Sequence, residues 1–285
     1  LCLVVKQMYR FVCILPLQKR RALPFLTHKQ RYTLCKNFCY FCCMRIIAVI
    51  PARYAATRFP AKLMQLLNDK TIIRHTYENT VATGLFSEVL VATDSSVIYD
   101  EINRHGGKAV MSKKEHESGS DRIAEAVMHM EADVVVNVQG DEPFVQKQSL
   151  EKLCALFSDA SVDVGSLMHL ITDAEQVTDP NCVKVVVNKQ MDALYFSRST
   201  IPFKRDVAAA VPYYKHIGIY GYRKNTLLSF IQLPVSPLEQ AEKLEQLRLL
   251  ENGFRIRMAV TEPVGVSIDT AADLEKAREL VRKNR

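Results

Sequence analysis

Neither G-x-G-x-x-G nor G-x-x-x-x-G-K-[ST] occurs in the 285 residues. Their absence argues against a dinucleotide-dependent dehydrogenase and a P-loop NTPase, whose phosphate loops need those glycines. No Ser–His–Asp or Cys–His set stands in a convincing context, so a covalent enzyme intermediate is not indicated. Acidic residues are absent from positions 1–43, which hold eight of the 38 Lys and Arg. The remainder, with 30 basic and 31 acidic residues, is about neutral. The basic pI of about 8.9 therefore belongs to the first 43 residues and is no argument for nucleic-acid binding by the body. Cysteine is scarce beyond residue 43, with only Cys154 and Cys182. That scarcity points to a reducing cytoplasm rather than a disulfide framework.

Residues 1–43 also lack a clean apolar span of about 18 residues, so no transmembrane helix is expected there. Lys6 and Arg10 interrupt any signal-peptide core, and no small-residue cleavage site follows. Cys39-Tyr-Phe-Cys42 has no second pair, and no His-x-x-x-His, at zinc-site distance, so no metal or redox role is expected. The acid-free, Arg-rich composition is shared with organellar transit peptides. The reading favoured here is an over-extended frame, with translation starting at Met44 just before the first convincing strand. A mature intact mass that includes residues 1–43 would overturn it. The expected organisation is an N-terminal extension, 1–43, outside the fold, followed by one body, 44–285.

The body opens with an apolar run, 46–50, that reads as a buried parallel strand. The chain is expected to leave the strand at Pro51 into IPARYAATRFPAK (50–62), which carries Arg53, Arg58 and Lys62 and no acid. A basic loop at the carboxyl end of a first parallel strand is where an open α/β sheet receives an anionic ligand. Two guanidiniums and an ammonium suit a polyphosphate; the spacing alone leaves a solvated loop open. Helices are expected over 71–83, with Ile72, Ile73, Tyr77 and Val81 apolar, and over 96–105, closed by Gly106 and Gly107. Strands are expected over 87–94 and 108–111. HESGSDR (116–122) offers N-cap chemistry and free N–H groups, either as a plain helix start or as a ligand-facing loop. DVVVNVQGDEP (133–143) delivers Gln139 and Asp141 to the carboxyl end of a buried strand. An acid there, facing a basic loop at the same sheet edge, is the arrangement for Mg²⁺ bridging protein and phosphate. The alternation of strand and helix predicts a parallel sheet.

From about residue 160 strands dominate, at 163–171, 183–188, 194–203 and 215–223. In KHIGIYGYR, alternation puts His216, Gly218, Tyr220 and Tyr222 on one face, from which His216 and Tyr220 could hydrogen-bond a polyol or simply pack. SPLEQAEKLEQLR (236–248) reads as one amphipathic helix burying Leu238, Ala241, Leu244 and Leu247. Its Glu242, Glu245 and Arg248 are expected as i,i+3 ion pairs in solvent. A strand over 255–261 and a turn and helix over 267–283 end the body, with Asp269 either a cap or a second metal-binding acid. No repeat, low-complexity segment or linker divides 44–285.

Taken together, these motifs resemble the 3-deoxy-manno-octulosonate cytidylyltransferase family, the CMP-Kdo synthetases. IPARYAATRFPAK is similar to the family's IPARYxSTRxPxK loop. LVATD (90–94), HESGSDR, VNVQGDEP (136–143), NCVKVV (181–186), ALYFSRSTIPF (193–203), HIGIYGYR, SPLEQAEKLEQLR and IDTAADL (268–274) follow in family order. The resemblance implies a nucleotide-diphospho-sugar-transferase-like α/β fold, a Rossmann-like mixed sheet with helices on both faces. It implies a nucleotide half, 44–160, and a sugar-binding and dimerisation half, 161–285. The implied reaction is transfer of CMP from CTP to 3-deoxy-D-manno-octulosonate (Kdo) by a cytoplasmic, Mg²⁺-dependent homodimer in lipopolysaccharide biosynthesis, with no nucleic-acid or membrane partner.

By motif position, Arg53, Arg58 and Lys62 would hold the triphosphate. Ser118 and Arg122 would read cytosine, and Gln139 would contact sugar or nucleotide. Asp141 and Asp269 would hold the metal. Arg198, His216, Tyr220, Glu245 and Arg248 would line the Kdo pocket, where an Arg suits the sugar's carboxylate.

Three positions depart from the family pattern: Ala56 for Ser, Ala61 for Gly, and Thr270-Ala271-Ala272 for the commoner Thr-Pro-Glu. Ala56 removes at most one phosphate hydrogen bond, worth roughly 1 kcal/mol. Ala61 restricts the backbone unless its φ is negative. None removes a charge from the site, so activity is expected to survive. The alternatives are CMP-activation of another 2-keto sugar acid such as sialic acid, or a non-catalytic nucleotide-binding homologue. HIGIYGYR and QGDEP in their Kdo-enzyme form stand against the first, and the presence of both metal acids against the second. A hexose-1-phosphate nucleotidyltransferase is disfavoured because its G-G-x-G-T-R loop is absent.

Overall fold

The apolar run after Met44 becomes β1 (Ile46–Ala52), a strand buried on both sides. Ile46, Ala48 and Ile50 face one apolar layer, Ile47 and Val49 the other, which is why the run does not alternate with polar residues. The computed structural model describes residues 44–283 except 56–58, 117, 207, 209, 264 and 266. After β1 come β2 (Leu66–Leu67), β3 (Lys70–Thr71), α1 (Ile72–Ala82), β4 (Glu88–Thr93), α2 (Ser96–Arg104) and β5 (Ala109–Met111). Next are α3 (Gly119–Val127), β6 (Val134–Asn137), α4 (Lys147–Leu156), β7 (Val164–Leu170), α5 (Ala174–Thr178), β8 (Lys184–Val187) and β9 (Ala193–Ser197). β10 (Tyr214–Arg223), α6 (Lys224–Phe230), α7 (Pro237–Glu242), α8 (Gln246–Glu251), β11 (Ile256–Val260) and α9 (Ala271–Lys283) complete the described chain.

The main sheet runs β11-β7-β10-β6-β1-β4-β5, with β8 paired to β10 and to β9. β1 lies parallel to both β4 and β6, and β4 parallel to β5. β10 enters antiparallel between β6 and β7. Successive strands step outward from β1 on one side through β4 and β5, then return to its other side at β6. Such a reversal opens a crevice at the carboxyl ends of the central strands. Ile72 of α1, Ile98 of α2, Leu150 of α4 and Leu274 of α9 belong to one apolar layer. Ile123 of α3, Leu227 of α6 and Leu247 of α8 belong to the other. Helices thus cover both faces of a mixed sheet, as the motif order implied.

Several local elements differ from their sequence reading. Pro51 stays in β1, in register with Ala92. On α1 the inward positions are Thr76 and Thr80, while Val81 is exposed. Thr76 Oγ1 donates to Ile72 O (3.1 Å) and to Gly140 O (2.9 Å), and a hydroxyl so bonded is cheap to bury. The strand expected over 194–203 stops at Ser197. There Ser197 Oγ and the Arg198 N–H turn to the Glu242 carboxylate, at 2.6 and 2.9 Å, instead of a neighbouring strand. The single helix expected over 236–248 is two, because Lys243 adopts a left-handed conformation (φ 54) that ends α7. Leu238 and Ala241 consequently lie exposed, whereas Leu244 and Leu247 are buried.

β10 also departs from regular pairing. Ile217 pairs with Leu167 and Tyr220 with Ser166, so Gly218 and Ile219 are extra on the β10 side. An excess of two residues preserves side-chain alternation, where one would reverse it. His216, Tyr220 and Tyr222 therefore share a face, with ring centroids 5.3 and 5.8 Å apart along the row.

Candidate active site

At the carboxyl ends of β1 and β6 lies a cavity of about 340 Å³. Four of the expected residues at its wall come from the loops after these strands and from the segment before α9: Lys62, Gln139, Asp141 and Asp269. Arg53, Ser118 and Arg122 line it too. Arg58 and Ala56 lie outside the described residues. Arg198, His216, Tyr220, Glu245 and Arg248 do not line this cavity; they cluster around β9, β10 and α8 instead.

The floor is fixed by packing before any charge is considered. The turn after β6 is tied to α1 through Thr76 Oγ1 to Gly140 O and through Asn79 Nδ2 to Pro143 O (2.5 Å). A Cβ at residue 140 would come within 3.2 Å of Pro51 O and 3.3 Å of Leu63 and Ile73, so this close approach favours glycine. Ile268 N–H donates to Asp141 O (3.0 Å) and brings the segment ahead of α9 alongside. Thr270 caps α9: its Oγ1 accepts from Asp273 N–H, and Asp273 Oδ2 accepts from Thr270 N–H. The cap role that was open for Asp269 is thus filled by its neighbour.

The two acids meet on one cation. Lys62 Nζ lies 2.5 Å from Asp141 Oδ2 and 3.2 Å from Asp269 Oδ1, with the lysine side chain only 14% exposed. Two carboxylates converging on a single positive charge fit a hard divalent cation, which takes one or two carboxylates and completes its shell with phosphate oxygens and water. Behind them Glu142 is half-buried, with its Oε2 buried and lacking a hydrogen-bond partner. Burial, and then the neighbouring Asp141 and Asp269 charges, push its carboxyl up to about 8. It carries its proton at neutral pH, a role the sequence reading did not assign. An acid adjoining a metal-type acid in a buried turn was the signal available.

Lys62 reaches this position from a strained start. Ala61 has φ 50 and ψ 31, and its carbonyl accepts from Met64 N–H (2.9 Å) to open a short turn. The condition for a harmless Ala61, a negative φ, is not met. A left-handed L-residue costs roughly 1–2 kcal/mol, part of which glycine's extra unfolded-state freedom would return. Ala61→Gly is expected to raise stability by about 0.5–1 kcal/mol, a Tm gain of about 1–4 °C in a thermal melt.

The segment 116–122 is more heavily engaged than its residue types suggest. Ser118 caps α3: its Oγ accepts from Asp121 N–H (3.1 Å) and donates to Asp121 Oδ2 (2.9 Å). Arg122, buried, donates from Nη1 to Ala52 O (2.9 Å) and from Nη2 to the Asp94 carboxylate. It therefore fastens the ends of β1 and β4 together, with Nε left buried and unpartnered. His116, which sequence reasoning passed over, sets Nε2 against the Glu125 carboxylate. Burial opposes the Glu125 charge, but hydrogen bonds from His116 and from Lys113 N–H outweigh it and hold its pKa below the ordinary value. The partner lies nine residues on, across the start of α3, beyond what motif spacing can reveal.

In the strand-rich half, Gln139 Nε2 donates to Gly218 O (3.3 Å), a carbonyl at the two-residue excess in β10. Ser166 Oγ lies 3.1 Å from His216 Nε2, and burial pushes the His216 ring down to about 3, so it is neutral. Tyr220 Oη and Gln246 Nε2 are buried without hydrogen-bond partners, and Glu245 Oε1, likewise without a hydrogen bond, forms the expected i,i+3 ion pair with Arg248 Nη2 at 3.6 Å. Ser120 Oγ donates to Glu245 Oε2 (2.7 Å), and burial raises the Glu245 pKa. Buried polar atoms left open in this way are suited to a ligand rich in hydroxyls. Arg198 donates from Nε to Glu242 O (2.8 Å) and from Nη1 to Pro180 O (3.1 Å). Arg248 is not in solvent. It forks onto Glu239 with two 2.8 Å bonds and lies 4.8 Å over the Phe230 ring.

Comparison with known proteins gives the family. The cytidylyltransferase family profile matches residues 47–257. The 3-deoxy-manno-octulosonate cytidylyltransferase of Flavobacterium johnsoniae is 58% identical over 242 residues, covering 84% of this chain and 99% of the relative. That of Christiangramia forsetii is 55% identical over 240 residues, covering 83% and 97%. A solved CMP:2-keto-3-deoxy-manno-octonic acid synthetase complexed with CTP superposes with a TM-score of 0.81 at 43% identity, covering 85% of this chain and 100% of that one. The chain belongs to the 3-deoxy-manno-octulosonate cytidylyltransferase family.

Proposed function

We propose that the chain transfers CMP from CTP to Kdo, giving CMP-Kdo and pyrophosphate for lipopolysaccharide biosynthesis, with Mg²⁺ held by Asp141 and Asp269. The observation that carries the reading is the meeting of Lys62, Asp141 and Asp269 at the wall of the cavity beside β1. Arg53 and Lys62, with Arg58 from outside the described residues, would bind the triphosphate, and residues 44–160 would form the nucleotide half. The 2-hydroxyl of Kdo attacks the α-phosphorus in line as the bond to pyrophosphate breaks. Bound Mg²⁺ would neutralise phosphate charge and acidify that hydroxyl. Lys62 and the loop arginines would stabilise charge on the departing pyrophosphate.

The sugar would lie toward residues 161–285, where Tyr220 Oη and Glu245 Oε1 are buried without a hydrogen bond. His216, neutral across the physiological range, would serve there as a hydrogen-bonding group rather than a charge. Gln139 stands between the halves, and Arg198 is the guanidinium nearer the surface for the sugar's carboxylate. A cytoplasmic homodimer belongs to the same proposal. Cys154 and Cys182 are free thiols, in keeping with a reducing compartment. Leu194 and Phe203, 60% and 85% exposed, are apolar side chains that a second copy would cover. Among the described residues no helix is long and apolar enough to cross a membrane.

The test is pyrophosphate release by the full chain with CTP and Mg²⁺, in the presence of Kdo, sialic acid or no sugar. Release with Kdo alone is expected. Release with sialic acid but not Kdo would reassign the substrate. CTP binding without release under any condition would indicate a non-catalytic homologue.

A further inference from the structure

The irregular meeting of β7 and β10 has one hydroxyl at its centre. Ser166 of β7 is fully buried. Its Oγ lies 3.2 Å from Ile217 O and 2.9 Å from Ile219 O, the carbonyls on either side of Gly218. Gly218 O accepts from Gln139 Nε2 (3.3 Å), so side chains reach three successive carbonyls at the two-residue excess. The remaining neighbour of Ser166 Oγ is His216 Nε2, at 3.1 Å. A hydroxyl has one proton, and carbonyl oxygens only accept. Given to Nε2, that proton would leave the Ser166 oxygen facing two carbonyl oxygens with nothing between them, where water does not reach. Buried acceptors so opposed are costly. The proton therefore goes to the carbonyls, and the bond to the ring runs from Nε2–H to Oγ.

Burial pushes the His216 ring down to about 3, and a neutral ring with its proton on Nε2 has a lone pair at Nδ1. Among the described residues Nδ1 makes no hydrogen bond. The Phe196 ring, edge-on at 5.0 Å, and the Tyr220 ring, at 5.3 Å, confine the imidazole. We propose that Ser166 is a positioning residue for the sugar: it fixes the tautomer of His216 so that Nδ1 accepts from a Kdo hydroxyl. The inference rests on the reading of His216 as a sugar-pocket residue proposed above. It deepens that reading by assigning a hydroxyl to His216, because a carboxylate has no proton to give to Nδ1.

The experiment joins ring-nitrogen NMR to a kinetic double-mutant cycle, both on the full chain. Protein labelled with ¹⁵N-histidine is recorded at neutral pH, and His216→Phe identifies the His216 signals among those of the seven histidines. His216 is expected to show a protonated Nε2 and a bare Nδ1; the reverse tautomer would overturn the proposal. KM for Kdo, KM for CTP and kcat are measured for wild type, Ser166→Ala, Ser166→Thr, His216→Phe and the variant carrying both Ser166→Ala and His216→Phe, with Tm recorded for each. Ser166→Ala is expected to raise KM for Kdo by about 3–10-fold, the effect of one lost hydrogen bond, without moving KM for CTP. Ser166→Thr keeps the hydroxyl and is expected to recover most of the loss. In the His216→Phe background, Ser166→Ala is expected to add nothing.

A role confined to holding the strands together would persist without the imidazole. An equal rise in KM for Kdo with and without His216, or an equal rise for both substrates, would therefore overturn the proposal. So would a KM for Kdo in Ser166→Ala within about twofold of wild type. If Ser166→Ala fails to fold, the tautomer found in wild type decides. An unchanged KM for Kdo in His216→Phe, or no turnover of Kdo by wild type, would overturn the reading of His216 as a sugar residue, and this inference with it. A raised KM in His216→Phe that Ser166→Ala does not share overturns the inference alone.

Discussion

Asp141→Asn is expected to cut turnover by about 10³-fold while leaving the fold intact, at the upper end for the loss of one preorganised electrostatic contact. The substitution keeps the volume and the backbone carbonyl that accepts from Ile268 N–H. It removes the charge nearest the Lys62 ammonium, at 2.5 Å. With Asp141 neutral, one anionic oxygen is lost from the two carboxylates that meet at Lys62, and amide oxygens bind hard cations more weakly than carboxylates. Asp269→Asn removes the other and is expected to act alike. Pyrophosphate release and thermal melts measured side by side distinguish lost chemistry from lost structure. Substantial turnover in both variants would remove the two acids from the metal assignment.

Arg248→Ala is expected to act on stability instead, lowering it by about 3–5 kcal/mol, the range for breaking a buried ion pair by deleting one partner. The Arg248 and Glu239 side chains are 8% and 12% exposed, so the glutamate would be left charged and poorly solvated. The guanidinium also covers the Phe230 ring and donates to Leu233 O (3.2 Å). Lysine cannot reproduce the fork, so Arg248→Lys is expected to recover only part of the loss. Denaturant melts and the KM for Kdo separate the two possible roles. Full stability with a raised KM would put Arg248 on the sugar carboxylate after all.

How far the sequence could be read depended on the distance over which each cause acts. β1 was legible because a strand buried on both faces is a local pattern, and the loop after it because charge of one sign is local too. The arrival of Gln139 and Asp141 at a strand end followed from four valines and a turn. The meeting of Lys62 with Asp269 did not, since they stand 207 positions apart. Only topology, with α9 returning to the edge of β2, joins them. The break at Lys243 was hidden for a different reason: its neighbours are good helix formers, and tertiary bonds from Ser197 and Arg198 to Glu242 override their preference. Asp269 had two local readings, and the cap role went to its neighbour Thr270. Arg248 had the spacing of a surface ion pair but the surroundings of a core residue.

The sheet order also has a consequence for the protein while it is being made. β6 pairs with β1 on one side and with β10 on the other, and β10 is translated long after β6. Until then the Val134–Asn137 strand is an open edge in a half-built sheet, the kind of surface that recruits other chains. Asp269 emerges later still, 207 residues after Lys62, which at about 5–20 residues per second is a delay of roughly 10–40 s. Throughout that interval the nascent chain carries the loop after β1 without the Asp269 carboxylate that meets Lys62. The ribosome-bound intermediate therefore has both an open strand edge and an unfinished cavity wall, and its passage to the finished sheet is where chaperone dependence should concentrate.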